Sequence, residues 1–391
     1  MSADSSARDP DDRAQARALQ WILRLRYPTL IALMVWASLL KAHARVGRGE
    51  DDWHYFIWGA RLLFGDHPHW AEKSGGLHLY GSYHVQIGPL TLGLVALLRR
   101  LWGNDGSHVA AIVAMCAMGP LFVWMLERAS PATDRIWRAA TVLIGGGVVV
   151  WAWAELAVYY AHLDDALTFA FACGALWAFA SRKPTLTGVL IGLAVASKAW
   201  GIVLLPLALA FDGRASRRCA VAAAVTIGVW WLPFVIADTG TLRAGNVGVG
   251  VSFRSVLHLF GATALSTPTW IRPLQLVLAL VLGAIAARNG RWSALLLLGV
   301  AVRVLLDPAT FPYYSSGLIL AALGWELGRH RPMPVVTPAL FALLLLVPEH
   351  LTTDRSVAVA RLLACLLAIG AAFTDEQDRT WSPRSVTGSA S

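Results

Sequence analysis

Residues 49–70 read GEDDWHYFIWGARLLFGDHPHW and lie between two long apolar segments of the chain. Four residues at three- and four-residue steps share one helix face: Asp51, His54, Trp58 and Arg61. Another side is apolar and carries Phe56, Ile57, Leu63 and Phe64. The pattern predicts a helix along a membrane surface, whose acids either cap it in solvent or form part of a site.

The composition places the chain among polytopic membrane proteins. Of its 391 residues, 57% are hydrophobic and 15% are charged, whereas a soluble domain carries about 25% charged residues. Residues 1–17 are polar and lack a short apolar core before a cleavage site, so we expect the first apolar run to be retained. The four cysteines lie in or beside apolar runs without CxxC spacing, which indicates neither disulfides nor a zinc site.

The net charge of +9 predicts contact with membrane lipids. Arginine-rich loops beside anionic lipid explain this charge. No basic stripe has interleaved aromatic residues, so we expect no nucleic-acid partner.

Apolar runs of roughly spanning length predict an all-α transmembrane bundle of about twelve spans. The runs are 27–46, 107–126, 138–158, 165–181, 184–198, 199–212, 218–237, 271–288, 292–306, 313–328, 334–350 and 355–374. They form one domain, 27–374, between polar cytoplasmic tails at 1–26 and 375–391. Two long outer loops are predicted at 47–106 and 238–270.

The apolar run 84–102 decides the topology. If it lies on the membrane surface, the arginine clusters between spans all fall on the cytoplasmic side, as the positive-inside rule requires. We therefore predict an inner-membrane protein with both termini in the cytoplasm. This topology places a group of polar residues on the outer face, where acids near helix ends are typical of a functional site: Asp51, Asp52, His162, Asp164, Asp165, Asp307, Glu349 and His350.

Three sequence elements, in order, resemble the C-type membrane glycosyltransferases (GT-C). DDWHY at 51–55 with Gly-Asp at 65–66 resembles their first outer loop, and HLDDAL at 162–167 resembles the acid and leucine that open a later span. GVLIGLAVASKAWGIVLLP at 188–206 is similar to their glycine-rich segment with a lysine. The superfamily includes protein O-mannosyltransferases, the lipid A aminoarabinose transferase and actinobacterial family 87 mannosyltransferases. A lysine before Pro-Pro in the first loop of some members is absent from VQIGPL at 85–90.

The resemblance implies an inverting glycosyltransferase that uses a polyprenyl-phosphate sugar, mannose or arabinose, and no nucleotide. The acceptor would be a cell-envelope glycolipid, glycan or protein on the outer face. Such a transfer needs a carboxylate that takes the proton of the acceptor hydroxyl. Asp51 is the predicted base and Asp52 the alternative, because adjacent helical residues point about 100° apart.

The candidate donor- or acceptor-binding residues are His54, Tyr55, His162, Asp164, Asp165, Lys198, Arg254, His258, Arg303, Tyr313 and Tyr314, with Arg272 a further candidate for the phosphate. Each has a structural alternative. Lys198 would snorkel to the interface, and Arg254 and His258 would lie on a surface helix. Arg303 would pair with Asp307.

The remaining alternatives concern the tyrosines and the acids. Tyr313 and Tyr314 would belong to an aromatic belt. Asp164 and Asp165 would cap a helix. Acids at 51, 52, 164 and 165, with His54 or His162, could also hold a divalent cation, although no spacing requires it.

Two other function classes remain open. The first is a proton- or cation-coupled transporter or a lipid-linked-sugar flippase, whose polar groups would lie near mid-membrane between broken helices. The second is a noncatalytic assembly protein.

Overall fold

The computed structural model describes residues 10–46, 52–65, 75–83, 85–130, 135–243, 249–329 and 333–374. All regular elements within these ranges are helical, which confirms the all-α prediction. An isolated antiparallel bridge joins Ile87 to Lys198.

The helices follow one another along the chain with short connections. The α-helices are α1 Pro10–Arg45, α2 Trp53–Phe64, α3 Leu79–Tyr83, α4 Pro89–Ala129, α5 Arg135–Ala154, α6 Leu163–Ala180, α7 Pro184–Ser197, α8 Gly213–Ala237, α9 Val256–Leu259, α10 Ile271–Arg288, α11 Ala294–Leu305, α12 Pro312–Leu327, α13 Val336–Phe341, α14 Val347–His350 and α15 Asp354–Phe373. In the described ranges, three 3₁₀ segments lie at Gly76–His78, Ala199–Ala210 and Thr239–Arg243. Two π-helical segments lie at Glu155–Tyr159 and Ala342–Leu346.

Seven helices in the described part are long and apolar enough to cross a membrane: Gln20–Arg45, Pro89–Ala129, Ile136–Tyr159, Leu163–Ala180, Gly213–Ala237, Ile271–Arg288 and Asp354–Phe373. The other predicted spans coincide with shorter helices, because turns or backbone breaks divide their apolar runs. They are Pro184–Ser197, Ala199–Ala210, Ala294–Leu305, Pro312–Leu327 and Val336–His350. The total of twelve spans stays a prediction.

The outer surface of α8 shows a lipid-contacting pattern. Its exposed large residues recur at steps of three and four and form one apolar stripe: Val221, Val225, Val229, Leu232 and Ile236. An extended apolar face of this kind would not be stable in water, and it fits contact with lipid.

The buried helix α6 lies at the centre of the bundle, between α4 and α7. An aromatic cluster fixes its position against α5. Trp153 packs edge-to-face on Phe122 and Phe169, with ring centroids 4.9 Å and 6.0 Å away. The Trp153 indole N–H donates to the Met115 carbonyl oxygen at 2.8 Å. This packing fixes the end of α6 that carries the acids.

Helix α2 matches the predicted surface helix on its polar face. His54, Trp58 and Arg61 are exposed, whereas Asp51 lies outside the described residues. The buried face consists of Trp53, Phe56, Gly59, Ala60 and Leu62 and packs on α4. The predicted apolar side was therefore partly wrong: Phe64 is 61% exposed.

Helix α4 contains a kink that bears on the topology. Gly103 has φ 71° and ψ −172°, a conformation that interrupts the helix and favours glycine. The kink separates the ambiguous run 84–102 from the predicted span 107–126. The surface location of the first part stays a prediction.

Cysteine labelling tests this topology. In a variant without the four native cysteines, Ser74→Cys and Asn104→Cys should react with an impermeant thiol reagent added outside, because both would lie in the first outer loop. Ser181→Cys should be protected on the cytoplasmic side until the membrane is permeabilised. Labelling of Ser74→Cys with protection of Asn104→Cys would show that 84–102 crosses the membrane.

Candidate functional site

The polar centre of the protein begins at the connection between α5 and α6. The last turn before this connection is π-helical, a feature frequent at functional sites. Ala161 then adopts a left-handed conformation with φ 52°, which is unfavourable for a residue with a Cβ atom. The His162 N–H donates to the Leu156 carbonyl oxygen at 3.1 Å. This tight reversal directs His162 and the first turn of α6 towards the same interior region.

Two adjacent acids in this first turn are buried and fully paired. Asp164 and Asp165 are each 1% exposed. The Lys198 ammonium lies 2.9 Å from Asp164 Oδ2 and 2.7 Å from Asp165 Oδ2. Arg303 Nη1 lies 2.9 Å from Asp165 Oδ1, which also accepts the indole N–H of Trp200 at 2.8 Å. Two carboxylates therefore balance two cations away from solvent, and removal of any one would leave an uncompensated charge.

Lys198 reaches these acids because the backbone breaks between α7 and the following 3₁₀ helix. Lys198 itself is extended, with φ −156° and ψ 132°. The Gly88 N–H and the Thr91 hydroxyl both donate to the Ser197 carbonyl oxygen, at 2.9 Å and 3.0 Å. A Cβ atom on Gly88 would lie 2.1 Å from the Ala196 carbonyl oxygen, so only glycine permits this contact. The region before α4 is thereby joined to the lysine.

Arg303 is held by aromatic faces as well as by Asp165. Its guanidinium carbon lies 4.9 Å from the Trp200 ring centroid and 4.6 Å from that of Tyr314. Such cation–π contacts stabilise a desolvated arginine. The Gln275 amide also donates to the Arg303 carbonyl oxygen at 3.1 Å.

Asp52 connects this interior group to the surface. It precedes α2, and its N–H donates to the Tyr160 carbonyl oxygen at 3.3 Å. Its carboxylate Oδ2 lies 3.3 Å from His162 Nε2 and its side chain is 32% exposed. His162 Nδ1 lies 2.7 Å from Asp164 Oδ1. One partly exposed carboxylate is thus linked through an imidazole to the buried acids.

The charge state of His162 reflects opposing influences. Burial and the nearby Lys198 ammonium lower the pKa of the imidazole, whereas Asp164 and the hydrogen bond to Asp165 raise it. The net effect is a pKa above the usual histidine value. His162 is therefore protonated more easily than a free histidine, and its imidazolium form would attract the Asp52 carboxylate.

Tyr313 covers the imidazole, and Tyr314 packs against Tyr313. The Tyr313 ring stacks on His162 with centroids 4.0 Å apart and an interplanar angle of 25°. The Tyr314 ring lies 4.4 Å from that of Tyr313. Tyr313 is only 4% exposed, so the aromatic-belt interpretation is wrong for this residue. The stacking of Tyr313 on His162 fits its prediction as a binding residue.

The structure brings together eight of the residues that the sequence analysis selected: Asp52, His162, Asp164, Asp165, Lys198, Arg303, Tyr313 and Tyr314. His54 and Tyr55 lie on the exposed face of α2, and their rings contact each other at 3.9 Å. The predicted base Asp51 lies outside the described residues, so its place relative to the group stays a prediction.

Arg254 and His258 lie in a separate surface region near α15. Arg254 Nε pairs with Asp354 Oδ1 at 2.6 Å, with both side chains about half exposed. His258 belongs to the short helix α9, whose first turn is capped by the Ser255 hydroxyl. The surface interpretation fits Arg254. A cavity of about 350 Å³ here is lined by Phe253, His258, Leu259, Asp354 and Arg355.

Three structural alternatives from the sequence analysis are corrected. Lys198 does not snorkel, because its side chain is 8% exposed and contacts two acids. Arg303 forms its ion pair with Asp165 rather than with Asp307. His162 occupies the N-cap position of α6, while the two acids lie in its first turn. Trp200 was not selected as a site residue, and its position two residues after Lys198 was the available signal.

Asp307 lies next to this group, in the loop after α11. The Ala309 N–H donates to its Oδ1 at 3.0 Å, and the Ser255 hydroxyl donates to its carbonyl oxygen at 2.7 Å. Burial raises the pKa of Asp307, while Arg272 and Arg303 lower it. The net pKa is above the usual aspartate value.

The possible divalent cation was tested against the residues present. His162, Asp164 and Asp165 place one ligand atom each within 4.8 Å of one another. However, Lys198 and Arg303 contact oxygens of the same carboxylates at 2.7–2.9 Å. Two cationic side chains at this distance would repel a further cation. The arrangement therefore fits an ion-paired network better than a metal centre.

Comparison of the chain with protein-family models, with curated proteins and with solved structures gave no match. The chemistry of the site therefore carries the functional argument.

Proposed function

We propose that the protein is a membrane glycosyltransferase that moves mannose or arabinose from a polyprenyl phosphate to a cell-envelope glycolipid, glycan or protein. The observation that carries the proposal is the contact between Asp52 and His162. It holds a partly exposed carboxylate at the edge of the buried ion-paired group, where an acceptor hydroxyl can reach it. The resemblance of the Asp52 and Asp164 regions to GT-C glycosyltransferases also supports it.

Asp52 is the proposed general base. In an inverting transfer, the acceptor oxygen forms a bond to the anomeric carbon while the carbon–oxygen bond to phosphate breaks. The phosphate leaves with the bonding electron pair, and the carboxylate receives the hydroxyl proton. His162 acts as a positioning residue, because its Nε2 lies 3.3 Å from Asp52 Oδ2 and holds this carboxylate in place. Asp51, the base predicted from the sequence, lies outside the described residues and is the alternative to Asp52 here.

The phosphate leaving group requires positive charge or hydrogen-bond donors. Lys198 and Arg303 remain the candidates of the sequence analysis. Both are charged groups held within hydrogen-bonding distance of carboxylates, and either can exchange such a contact for a phosphate oxygen. Tyr313 and Tyr314, whose rings meet edge-to-face, would cover the same region.

The transporter alternative has one observation in its favour. Two short apolar helices meet at Lys198, and a Cβ on Gly201 would lie 2.7 Å from the Ala194 carbonyl carbon. Residues seven apart in a straight helix are separated by about 10 Å, so the chain turns back at the lysine. Broken helices around charged groups are typical of transporters.

One experiment separates the two functions. Purified protein in liposomes is incubated with radiolabelled polyprenyl-phosphate mannose or arabinose and an envelope lipid extract. A glycosyltransferase gives labelled product with a new glycosidic bond, and it releases polyprenyl phosphate. A flippase moves the labelled lipid between leaflets without a new product. Failure to form product with either donor and an active lipid extract would contradict the proposal.

A further inference from the structure

Two charged side chains beside the acid group each have a buried polar atom without a partner. Asp307 is 2% exposed and Arg361, on α15, is 5% exposed. Asp307 Oδ2 and Arg361 Nη2 make no hydrogen bond within the described part of the chain. A buried polar atom without a partner is costly, so these two atoms call for a ligand.

The two groups are neighbours without direct contact. The Arg361 charge acts on the Asp307 carboxylate and on the Tyr314 hydroxyl. Nevertheless, Asp307 and Arg361 form no ion pair within 4.0 Å, although α15 packs against α11, the helix that precedes Asp307. Hydrogen bonds from Ala309 and Ser255 hold Asp307 in place. A small group that reached both open atoms would join two side chains that do not contact each other directly.

The open atoms select the chemistry of this group. An arginine N–H only donates, so the ligand must supply an acceptor to Arg361. A carboxylate only accepts, so the same ligand must supply a donor to Asp307. A phosphodiester has no donor and would be repelled by Asp307. A hydroxyl donates and accepts, and it satisfies the aspartate in either protonation state.

A cavity with space for a larger hydroxyl-bearing group lies on the same side of α15, about two helical turns before Arg361. Asp354 and Arg361 are seven residues apart on α15 and therefore share a helix face. Asp354 lines the cavity of about 350 Å³, together with His258. His258 Nδ1 is a further buried polar atom without a partner in the described part. A ring with several hydroxyl groups matches this distribution better than a single small ion.

We propose that Asp307 and Arg361 bind hydroxyl groups of a sugar, held between the Asp307 Oδ2 and the Arg361 Nη2. This proposal rests on the proposed glycosyltransferase function. In such an enzyme, the bound sugar belongs either to the donor or to the acceptor. The hydroxyl chemistry is common to both sources, and binding experiments distinguish them.

The first experiment measures binding of octyl mannoside, octyl arabinoside and octyl phosphate to the protein in a detergent without sugar groups. Asp307→Asn and Arg361→Gln should weaken glycoside binding by about tenfold to a hundredfold, the range for a hydrogen bond to a charged group. Octyl phosphate binding should stay within about twofold. Arg361→Lys keeps the charge but loses the planar fork, so it should also weaken glycoside binding if Arg361→Gln does not fold.

Two variants serve as controls for loss of a buried or half-buried charge. Glu326 accepts hydrogen bonds from the backbone at 335–337 and from the Thr337 hydroxyl. Arg291 donates to the carbonyl oxygens of Ala372 and Phe373. Glu326→Gln and Arg291→Gln should leave glycoside binding unchanged. Equal weakening in these controls would overturn the inference, as would weakening of octyl phosphate alone or unchanged glycoside binding in both site variants.

The second experiment identifies the source of the sugar. Binding of polyprenyl-phosphate mannose and arabinose is compared with binding of sugar-free polyprenyl phosphate. If Asp307→Asn and Arg361→Gln weaken binding of the sugar-bearing lipids but not of sugar-free polyprenyl phosphate, the site belongs to the donor. If the two variants weaken binding of the octyl glycosides alone, the site belongs to the acceptor. Glycoside binding without any transfer by the wild-type protein would contradict the proposed enzyme and leave the sugar site standing.

Discussion

Asp52→Asn lowers the rate of sugar transfer by about 10²- to 10⁴-fold, the usual contribution of a general base. Asparagine keeps the size of the side chain and its contact with His162, but it cannot take the proton of the acceptor hydroxyl. Donor binding should survive, because the carboxylate acts on the acceptor. The measurement is single-turnover transfer from the radiolabelled donor, together with the donor dissociation constant.

Asp51→Asn is the matched control, since it removes the neighbouring acid in the same loop. If Asp52 is the base, this change should be milder by at least about tenfold. A larger rate loss for Asp51→Asn than for Asp52→Asn would make Asp51 the general base and leave the mechanism unchanged. Near wild-type rates in both single variants and in the double variant would mean that no carboxylate here takes the proton. The interior acids would then be better explained by the transporter alternative.

The structure explains why the sequence predicted the members of this group better than their contacts. Helical spacing placed His54, Trp58 and Arg61 on one exposed face of α2, because a local period fixes which side chains share a face. The partner of Arg303 could not be predicted in this way. The nearest acid along the chain was Asp307, whereas Asp165 is brought to Arg303 only by the packing of distant helices.

Backbone irregularities account for the remaining differences. Apolar runs predicted the helices correctly, but composition does not show where a run breaks. The boundary between the runs 184–198 and 199–212 coincides with the extended Lys198, but the bend of α4 at Gly103 was not predicted. The π-helical turn before Tyr160 and the left-handed Ala161 also have no clear signature in sequence. The contact between Asp52 and His162 depends on these last two features, so it required the three-dimensional structure.

Asp165→Asn should reduce the free energy of unfolding by about 3–5 kcal/mol, the usual cost of breaking a buried ion pair. Asp165 accepts contacts from Lys198, Arg303 and Trp200. The substitution leaves the buried Arg303 guanidinium without its carboxylate. The change in stability is measured by reversible unfolding of the purified protein in mixed micelles with increasing denaturing detergent.

The charge-balanced variant Asp165→Asn/Arg303→Met decides whether the loss comes from the stranded charge. Removal of both partners eliminates the uncompensated cation, so this double variant should recover at least about half of the lost free energy. Asp354→Asn is the matched control, because it breaks the exposed pair with Arg254 and should cost no more than about 1 kcal/mol. An equally small effect of Asp165→Asn would show that the buried group does not hold α6, α7 and α11 together. A large effect with recovery in the double variant would show that these ion pairs stabilise the packing of the three helices. The position of His162 depends on that packing, and the position of Asp52 depends on His162.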